Sequence, residues 1–195
     1  MKKILTQKFF NRDTRNVAKE LLGKYLVRNI GDREISVMIA ETEAYDGFHD
    51  KASHASKGKT ARTEVMFGEP GIFYVYLCYG VYFMLNIVTR EAHYPAAVLI
   101  RGGIGEDPDR RILDGPGKLT RFLFIDKNFN NKKAKRATGL WFEDRGVQID
   151  EKNNQRTPRI GVSYAGSLWS AKKFRFVLKN SLTYLSRGPS LTYKL

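Results

Sequence analysis

Two glutamates stand at alternate positions directly after an apolar segment, where residue type and spacing point to acid–base chemistry. In the segment ETEAY, Glu41 and Glu43 keep the two-residue spacing of the apolar residues before them, which are Ile35, Val37 and Ile39. Side chains two residues apart share one face of a β-strand. A carboxylate held at the end of a buried strand can act as a general base. Either glutamate fits that role, and a solvated strand end is the alternative, because acidic residues usually lie outside.

The segment FYVYLCYGVYFMLNIV, residues 73–88, combines aromatic rings with one amide. Two apolar runs that are separated near Tyr79 and Gly80 are typical of a β-hairpin. Tyr76 either lines a pocket or packs in the core. Tyr79 lies at the hairpin tip, where an aromatic ring gains little from burial. This placement favours a ring that acts as a wedge, inserted into a binding partner. Asn86 has apolar neighbours, where an unpaired amide costs about 1–3 kcal/mol, so it is either satisfied by the fold or available to a ligand.

Two of the three histidines lie close together in the sequence, at His49 and His54, with Asp50 between them. Such residues can ligate a metal ion, and a metal-dependent hydrolase is one hypothesis. The spacing is irregular for a metal site and no third strong ligand follows. A histidine that stacks or hydrogen-bonds is the favoured alternative.

The charge balance predicts a polyanionic partner. The chain of 195 residues has 34 Lys plus Arg against 20 Asp plus Glu, which gives a net charge of +14 and a pI near 9.9. Binding to phosphates would then weaken steeply with salt. A charge that only keeps the protein soluble is the alternative. With 42% hydrophobic and 28% charged residues, the composition excludes a disordered or collagen-like chain.

Length and cysteine content predict one soluble domain. The chain is long enough to bury a core, and no repeat or change of composition divides it, which predicts a single α+β domain over residues 1–195. Cys78 is the only cysteine, so it excludes an intramolecular disulfide and predicts a small buried hydrophobe in a cytosolic protein. Gln7 and Lys8 interrupt the first apolar stretch, and no apolar run reaches the roughly eighteen residues of a membrane span.

The elements that position these residues follow from local patterns in the first third of the chain. A helix is predicted after a cap at Asp13 or Thr14, with its end at Gly23. A half-buried strand runs from Ile35 through the two glutamates to Tyr45 on one face. The following segment, 46–62, is rich in Gly, Ser, Lys and His and predicts a basic surface loop.

Further along, the strand 97–100 ends at Arg101, and the glycines after it predict a loop. Pro116 marks the start of a helix. The lysine-rich segment 127–136 is expected to be exposed. Two short strands are predicted at 159–162 and 174–178.

Seven short sequence segments, in a fixed order along the chain, resemble those of a known protein family. They are LLGKYLVR, ETEAYDG, ASH, MFGEPGIFYVYLCYGVYFMLNIV, AVLIRGG, DGPGKLT and RIGVSYAG. From about Thr6 to Arg187 the chain resembles the 3-methyladenine DNA glycosylase family of the mammalian alkyladenine type, in its compact bacterial form. The resemblance implies a compact α+β domain with a curved, mostly antiparallel sheet and a protruding β-hairpin. It also implies a monomer of the bacterial cytosol and nucleoid.

The activity implied by the resemblance is the excision of alkylated or deaminated purines from double-stranded DNA, without a metal or an organic cofactor. The substrate class comprises 3-methyladenine, 7-methylguanine, hypoxanthine and ethenoadenine. The target nucleotide would be flipped out of the duplex, and water would be the nucleophile, because no lysine lies in the matched pocket motifs. A basic protein that binds damaged or structured nucleic acid without catalysis is the alternative.

The resemblance assigns roles to three residues around the water. Glu43 looks like the base that deprotonates it, Arg101 like the partner of that carboxylate, and the carbonyl of Val162 like a further group that holds the water. A neighbouring guanidinium is expected to favour the ionised form of Glu43 and so to lower its pKa.

The resemblance also assigns the pocket that receives the base. Tyr45 and His54 would cover one face of the base, and Tyr76 the other. Tyr79 would intercalate into the duplex. Asn86 resembles a gatekeeper that crowds the 2-amino group of guanine. The positions that depart from the common pattern, and so bear on DNA contacts and substrate range, are Thr63, Gly117 and Tyr164.

Overall fold

A ten-stranded antiparallel sheet organises the described part of the chain, which comprises residues 2–106 and 110–181 of a computed structural model. The α+β class is confirmed. The span 1–195 stays a prediction, because residue 1, residues 107–109 and residues 182–195, with Arg187, lie outside the described residues. The strands are β1 (Lys3–Ile4), β2 (Tyr25–Ile30), β3 (Arg33–Asp46), β4 (Phe73–Cys78), β5 (Tyr82–Val88), β6 (Ala96–Gly105), β7 (Ile112–Asp114), β8 (Leu140–Asp144), β9 (Asn154–Thr157) and β10 (Arg175–Leu178). The helices are α1 (Gln7–Phe10), α2 (Thr14–Glu20), α3 (Pro116–Phe122) and α4 (Gly166–Ser170).

β3 is the strand on which the sheet is built. The strand order is β1-β8-β2-β3-β6-β5-β4, while β10 pairs with β3 and β9, and β7 pairs with β6. β3 has 14 residues, and it pairs with β2 in its first half, with β6 along most of its length and with β10 near its end. The register between β3 and β6 shifts between Ile39 and Thr42. Glu43 therefore lies between Leu99 of β6 and Arg175 of β10.

The main hydrophobic core directs the acids of β3 to the opposite face of the sheet. Val17 and Ala18 of α2 and Leu119 of α3 are fully buried in this core. The Thr42 hydroxyl donates a hydrogen bond of 2.8 Å to the carbonyl oxygen of Ala18. Since successive side chains of a strand point to opposite faces, Glu43 points away from α2. None of the described helices is long and apolar enough to cross a membrane.

Several local predictions are confirmed. The Asp13 carboxylate caps α2 by accepting hydrogen bonds from two backbone N–H groups of its first turn. α2 ends at Glu20 rather than at the predicted Gly23, although the chain does turn at Gly23, which has a φ of +77°. β4 and β5 form the predicted hairpin, with Tyr79 at its tip. Pro116 is the first residue of α3. The prediction of a buried Cys78 is wrong, because its side chain is only half-buried at the hairpin end.

The glycine-rich loop predicted after Arg101 is wrong, because β6 continues to Gly105. A Cβ atom on Gly103 would lie 2.4 Å from the carbonyl oxygen of Met38, and one on Gly102 would lie 2.7 Å from that of Leu113. These glycines allow neighbouring strands to approach β6 closely rather than opening a turn. Arg101 is consequently held in the middle of a paired strand.

The strand predicted at 159–162 is also wrong. The strand is β9, directly before it, and residues 159–162 form a loop that crosses over the end of β3. The segment 46–62 is not simply a surface loop either. Asp50, Ala52 and Ala55 are almost completely buried, and residues His54–Lys57 form a 3-10 helix. The loop 159–162 places the Ile160 N–H on Glu43, and the buried Asp50 binds Arg159 of the same loop.

Candidate active site

A cavity of about 520 Å³ opens beside the end of β3. This volume lies within the range of roughly 300–1,000 Å³ that is usual for small-molecule sites. Its walls come from β3, the β4–β5 hairpin, β6, the segment 52–66 and the loop 160–164. The aromatic and polar side chains that line it include Tyr45, His54, Arg62, Tyr74, Tyr76, Asn86, Arg101 and Tyr164.

Glu43 lies directly behind the cavity wall, and its side chain is completely buried. Its Oε2 accepts a hydrogen bond of 2.8 Å from the Tyr45 hydroxyl. Its Oε1 accepts a hydrogen bond of 2.8 Å from the backbone N–H of Ile160. Arg101 Nε lies 3.5 Å from the same oxygen. Tyr45, Ile160 and Arg101 all line the cavity, so the carboxylate is separated from it by the groups that bind it.

Arg101 is shared between the two glutamates rather than paired with Glu43 alone. Arg101 Nε donates a hydrogen bond of 2.8 Å to Glu41 Oε1, while its distance to Glu43 Oε1 is 3.5 Å. Arg175 Nε donates to the same Glu41 oxygen at 2.6 Å. The two carboxylates and two guanidinium groups balance in charge. Glu41 therefore holds Arg101 beside Glu43 and is itself held by Arg175.

The pKa of Glu43 moves in the direction opposite to the sequence-based expectation. Burial raises the pKa of the Glu43 carboxyl above its ordinary value, and the opposing effects of Arg101, the Ile160 N–H and the Tyr45 hydroxyl do not outweigh it. Arg101 does favour the ionised form of Glu43, as the resemblance implies, but burial raises the pKa by more than Arg101 lowers it. Burial and the nearby Glu43 carboxylate also raise the pKa of Tyr45 well above its ordinary value, which keeps its hydroxyl a donor.

The rings expected to sandwich a base lie in the cavity, but His54 and Tyr76 contact each other. Their ring centroids are 4.8 Å apart, in an edge-to-face arrangement. His54 Nδ1 is 3.1 Å from the Tyr74 hydroxyl, and the Arg62 guanidinium lies 4.9 Å from the Tyr76 ring centroid. Burial lowers the pKa of His54, which favours a neutral imidazole. A base between His54 and Tyr76 needs roughly 3.5 Å on each side, so these rings would have to separate.

Asn86 and Tyr79 occupy contrasting environments on the hairpin. The Asn86 side chain lines the cavity and is nearly buried, and its Nδ2 donates a hydrogen bond of 3.0 Å to the carbonyl oxygen of Tyr74. The fold thus satisfies one end of the amide. Tyr79 is 93% exposed, with a φ of 50°, a conformation that few bulky residues adopt. Its ring stands clear of the core at the edge of the cavity.

The loop 159–162 contributes contacts that sequence reasoning missed. Val162 lies at the cavity wall as expected, and its carbonyl oxygen accepts a hydrogen bond of 3.0 Å from the Ala165 N–H, which leaves one lone pair unused. No sequence pattern indicates that the Ile160 N–H donates a hydrogen bond to Glu43, because a backbone donor is independent of residue type. Tyr164, one of the atypical positions, donates a hydrogen bond of 2.8 Å to the carbonyl oxygen of Ala52.

The other two atypical positions have structural roles. The Thr63 hydroxyl donates a hydrogen bond of 3.0 Å to the carbonyl oxygen of Gly58, which closes the turn before the second 3-10 helix of this segment. Gly117 leaves room for Tyr82, whose ring would lie 2.6 Å from a Cβ atom at that position. Neither residue lines the cavity itself, but each directly follows a residue that does, Arg62 and Pro116.

The arrangement does not favour the metal hypothesis for His49, Asp50 and His54. Both carboxylate oxygens of Asp50 accept hydrogen bonds from the buried Arg159 guanidinium. His54 Nδ1 is engaged by Tyr74. Within residues 2–106 and 110–181, no group of three or more His, Cys, Asp or Glu residues is placed to hold a metal ion.

Comparison with known proteins identifies the relatives of this chain. The model of the methylpurine-DNA glycosylase family matches residues 8–182. A protein of Methanocella arvoryzae is 45% identical, over 95% of this chain and 98% of its own length. Proteins of Ehrlichia chaffeensis and Legionella pneumophila are both 42% identical, over 93% and 96% of this chain and 96% and 100% of their own lengths. All three bear the provisional name 3-methyladenine DNA glycosylase. With matches of this extent, the chain belongs to the methylpurine-DNA glycosylase family.

Proposed function

We propose that this protein is a DNA glycosylase that hydrolyses the N-glycosidic bond of alkylated or deaminated purines in double-stranded DNA. The observation that carries the proposal is the buried Glu43 carboxylate behind an aromatic cavity, with an exposed tyrosine at the cavity edge. Family membership and the names of the relatives support the same reaction class. The substrate class would include 3-methyladenine, 7-methylguanine, hypoxanthine and ethenoadenine.

Glu43 acts in this proposal as the base that activates water, which requires the Tyr45 or Arg101 side chain between it and the cavity to move aside. An ionised carboxylate offers about four lone-pair positions, of which the Tyr45 hydroxyl and the Ile160 N–H take two. Arg101 Nε donates to Glu41 and pairs with Glu43 only by its charge, so a remaining position can accept a proton from water. The C1′–O bond forms with the water oxygen as the C1′–N bond breaks, the electron pair leaves with the base, and the water proton passes to Glu43. The negative charge also stabilises the oxocarbenium character of the sugar.

Arg101 and Val162 would complete the water site from opposite sides. Arg101 keeps a positive charge 3.5 Å from Glu43 Oε1, which lowers the pKa of a carboxyl that burial raises. The unused lone pair of the Val162 carbonyl can accept the second proton of the water. Both residues line the cavity that would receive the nucleotide.

Recognition of the base would rest on ring contacts rather than on a dense set of hydrogen bonds. Tyr45 and His54 would cover one face of the base and Tyr76 the other, each stacking contact contributing roughly 1–3 kcal/mol. This requires His54 to move away from Tyr76. Asn86, at the inner end of the hairpin, would exclude the 2-amino group of guanine and admit adenine-like and hypoxanthine bases.

The decisive experiment measures release of free base from duplex DNA that contains a single 3-methyladenine or hypoxanthine. We expect release without strand cleavage, and at the same rate with EDTA, because Glu43 and water supply the chemistry. Salt-dependent binding without release would instead support the non-catalytic binder. Inhibition by EDTA would support the metal hypothesis, and a covalent adduct trapped by borohydride would contradict water as the nucleophile.

Tyr79→Ser is expected to slow excision more from a stable base pair than from a mismatch. The ring would fill the gap left by the flipped nucleotide, and unstacking costs less where pairing is already weak. Folding should be unaffected, because the side chain is 93% exposed. Single-turnover rates on hypoxanthine opposite cytosine, its stable partner, and opposite a mismatched base test this. Equal losses on both duplexes would contradict a wedge.

A further inference from the structure

One ion pair behind the cavity has both side chains completely buried. It joins Asp50, in the segment after β3, to Arg159, in the loop before α4. Arg159 Nη2 donates a hydrogen bond of 2.8 Å to Asp50 Oδ1, and Nη1 donates to Oδ2, so the pairing is bidentate. The family resemblance assigned no role to either residue.

Arg159 contacts both groups that donate hydrogen bonds to Glu43. Its guanidinium carbon lies 4.8 Å from the centroid of the Tyr45 ring, whose hydroxyl donates to Glu43 Oε2. The residue that follows Arg159 is Ile160, whose N–H donates to Glu43 Oε1. Arg159 Nη1 also donates a hydrogen bond of 2.9 Å to the carbonyl oxygen of Ala44, between Glu43 and Tyr45. A single guanidinium thus fixes the strand, the ring and the loop around the carboxylate.

Asp50 connects the same pair to the wall of the cavity. Besides Arg159, its oxygens accept hydrogen bonds of 3.1 Å from the backbone N–H groups of Asp46 and Ala52. These bonds fold the segment that leads from the end of β3 to His54. The ion pair therefore ties the position of Glu43 to the segment that carries one of the pocket rings.

Stability alone does not account for this pair. Burial of two charges costs free energy that their attraction often only offsets. Arg159 Nε is moreover buried without a hydrogen-bond partner among the described residues, which is a further cost. A planar guanidinium can bind a carboxylate with two nitrogens while its face lies over a ring, and a lysine ammonium cannot do both. The geometry suits an orienting role.

We propose that Asp50 and Arg159 are positioning residues that hold the Tyr45 hydroxyl and the Ile160 N–H against Glu43 and thereby fix the orientation of the catalytic carboxylate. This proposal rests on the proposed function of Glu43. Neither residue touches the reacting atoms, so their effect on the reaction passes through Glu43. In a variant in which Glu43 cannot act as a base, a change in the Asp50–Arg159 pair should therefore have little further effect on the rate.

The test is a double-mutant cycle. Arg159→Lys and Asp50→Asn are each made in the wild type and in the Glu43→Gln variant, and single-turnover release of hypoxanthine is measured at saturating enzyme over a range of pH. Each variant is expected to lose about 10- to 100-fold in the wild type but less than about threefold with Glu43→Gln, since residues that act as a unit are strongly non-additive. The pH profile should shift with Arg159→Lys, because Glu43 loses oriented donors.

A matched control separates positioning from folding. Arg145 pairs with Glu143, which is also fully buried, through Nε and Oε2 at 2.9 Å, away from the cavity. Arg145→Lys should lower the melting temperature without changing the single-turnover rate or its pH profile.

Three outcomes would overturn the proposal. Equal fold losses with and without Glu43 would assign the pair a general structural role. An Asp50→Asn variant that folds and keeps the wild-type rate and pH profile would also leave the pair without a positioning role. So would a failure of both Asp50→Asn and Arg159→Lys to fold while Arg145→Lys folds. A wild-type protein that releases no base would instead refute the proposed function itself.

Discussion

Replacing Glu43 with glutamine is expected to slow single-turnover release of a damaged purine by about 10²- to 10⁴-fold, the usual contribution of a positioned general base. The amide has nearly the same shape, and the Tyr45 hydroxyl can turn to accept from it. The variant therefore keeps the cavity and loses the proton acceptor. Rates at saturating enzyme on duplex DNA with one hypoxanthine measure the effect on the chemical step.

Lesion binding and stability provide the controls for this variant. Binding of the lesion duplex should be retained, and Glu69→Gln, an acid on the surface that contacts Gln7, should keep the full rate. Full activity of the Glu43→Gln variant would show that Glu43 is not the general base. Because burial raises the folded-state pKa of Glu43, its contribution to stability is fully present below the unfolded-state pKa and is lost as pH rises through the folded-state pKa. The variant should gain stability relative to the wild type as the pH rises through this window.

Arg101→Met is expected to have the second largest effect, on both the pH dependence and the stability. The positive charge of Arg101 lowers the pKa of Glu43, so its removal raises that pKa further. Below the pKa, each unit of increase reduces the ionised fraction, and hence the rate, about tenfold. The acid side of the pH–rate profile should therefore move to higher pH. A buried ion pair broken on one side costs up to about 3–5 kcal/mol in unfolding free energy.

A pH profile of the single-turnover rate, with urea unfolding beside it, measures both effects. Arg175→Met is the matched comparison, because Arg175 lies opposite Glu43 in the β3–β10 ladder but its guanidinium binds Glu41, at 2.6 Å, and among the described contacts forms no ion pair with Glu43. It should lower stability and displace the profile much less. A profile that does not move with Arg101→Met would mean that Glu43 takes its protonation state from burial alone.

Local patterns were sufficient for the elements whose signals lie within a few residues. The cap at Asp13, the hairpin around Tyr79 and the start of α3 at Pro116 depend on turn and capping chemistry, which is local. The alternating spacing also placed Glu43 and Tyr45 on one face, where the hydroxyl of one contacts the carboxylate of the other. Prediction from sequence was therefore correct where the residues that determine a feature lie close together in the chain.

The remaining features depend on contacts between distant segments. Gly103 is typical of a loop in sequence, but it is required by the close approach of β3 to β6. The pair of Asp50 and Arg159 joins residues 109 positions apart. The pKa of Glu43 follows from complete burial, which no spacing shows. The positions of Tyr45, His54, Tyr76, Asn86 and Arg101 at one cavity agree with the resemblance, while their roles stay predictions.

The placement of Glu43 on β3 separates the part of the site that holds the proposed base from most of the parts that would contact the nucleobase. The carboxylate sits on a strand with three pairing partners, and at Glu43 this strand is flanked by β6 and β10. Sites on such strands are held more accurately than sites on loops. Of the rings that would contact the base, only Tyr45 lies on β3, while His54 comes from the segment 46–62 and Tyr76 from the β4–β5 hairpin at the edge of the sheet. Substitutions in these outer segments are therefore expected to alter which bases the proposed site accepts while leaving the position of Glu43 unchanged.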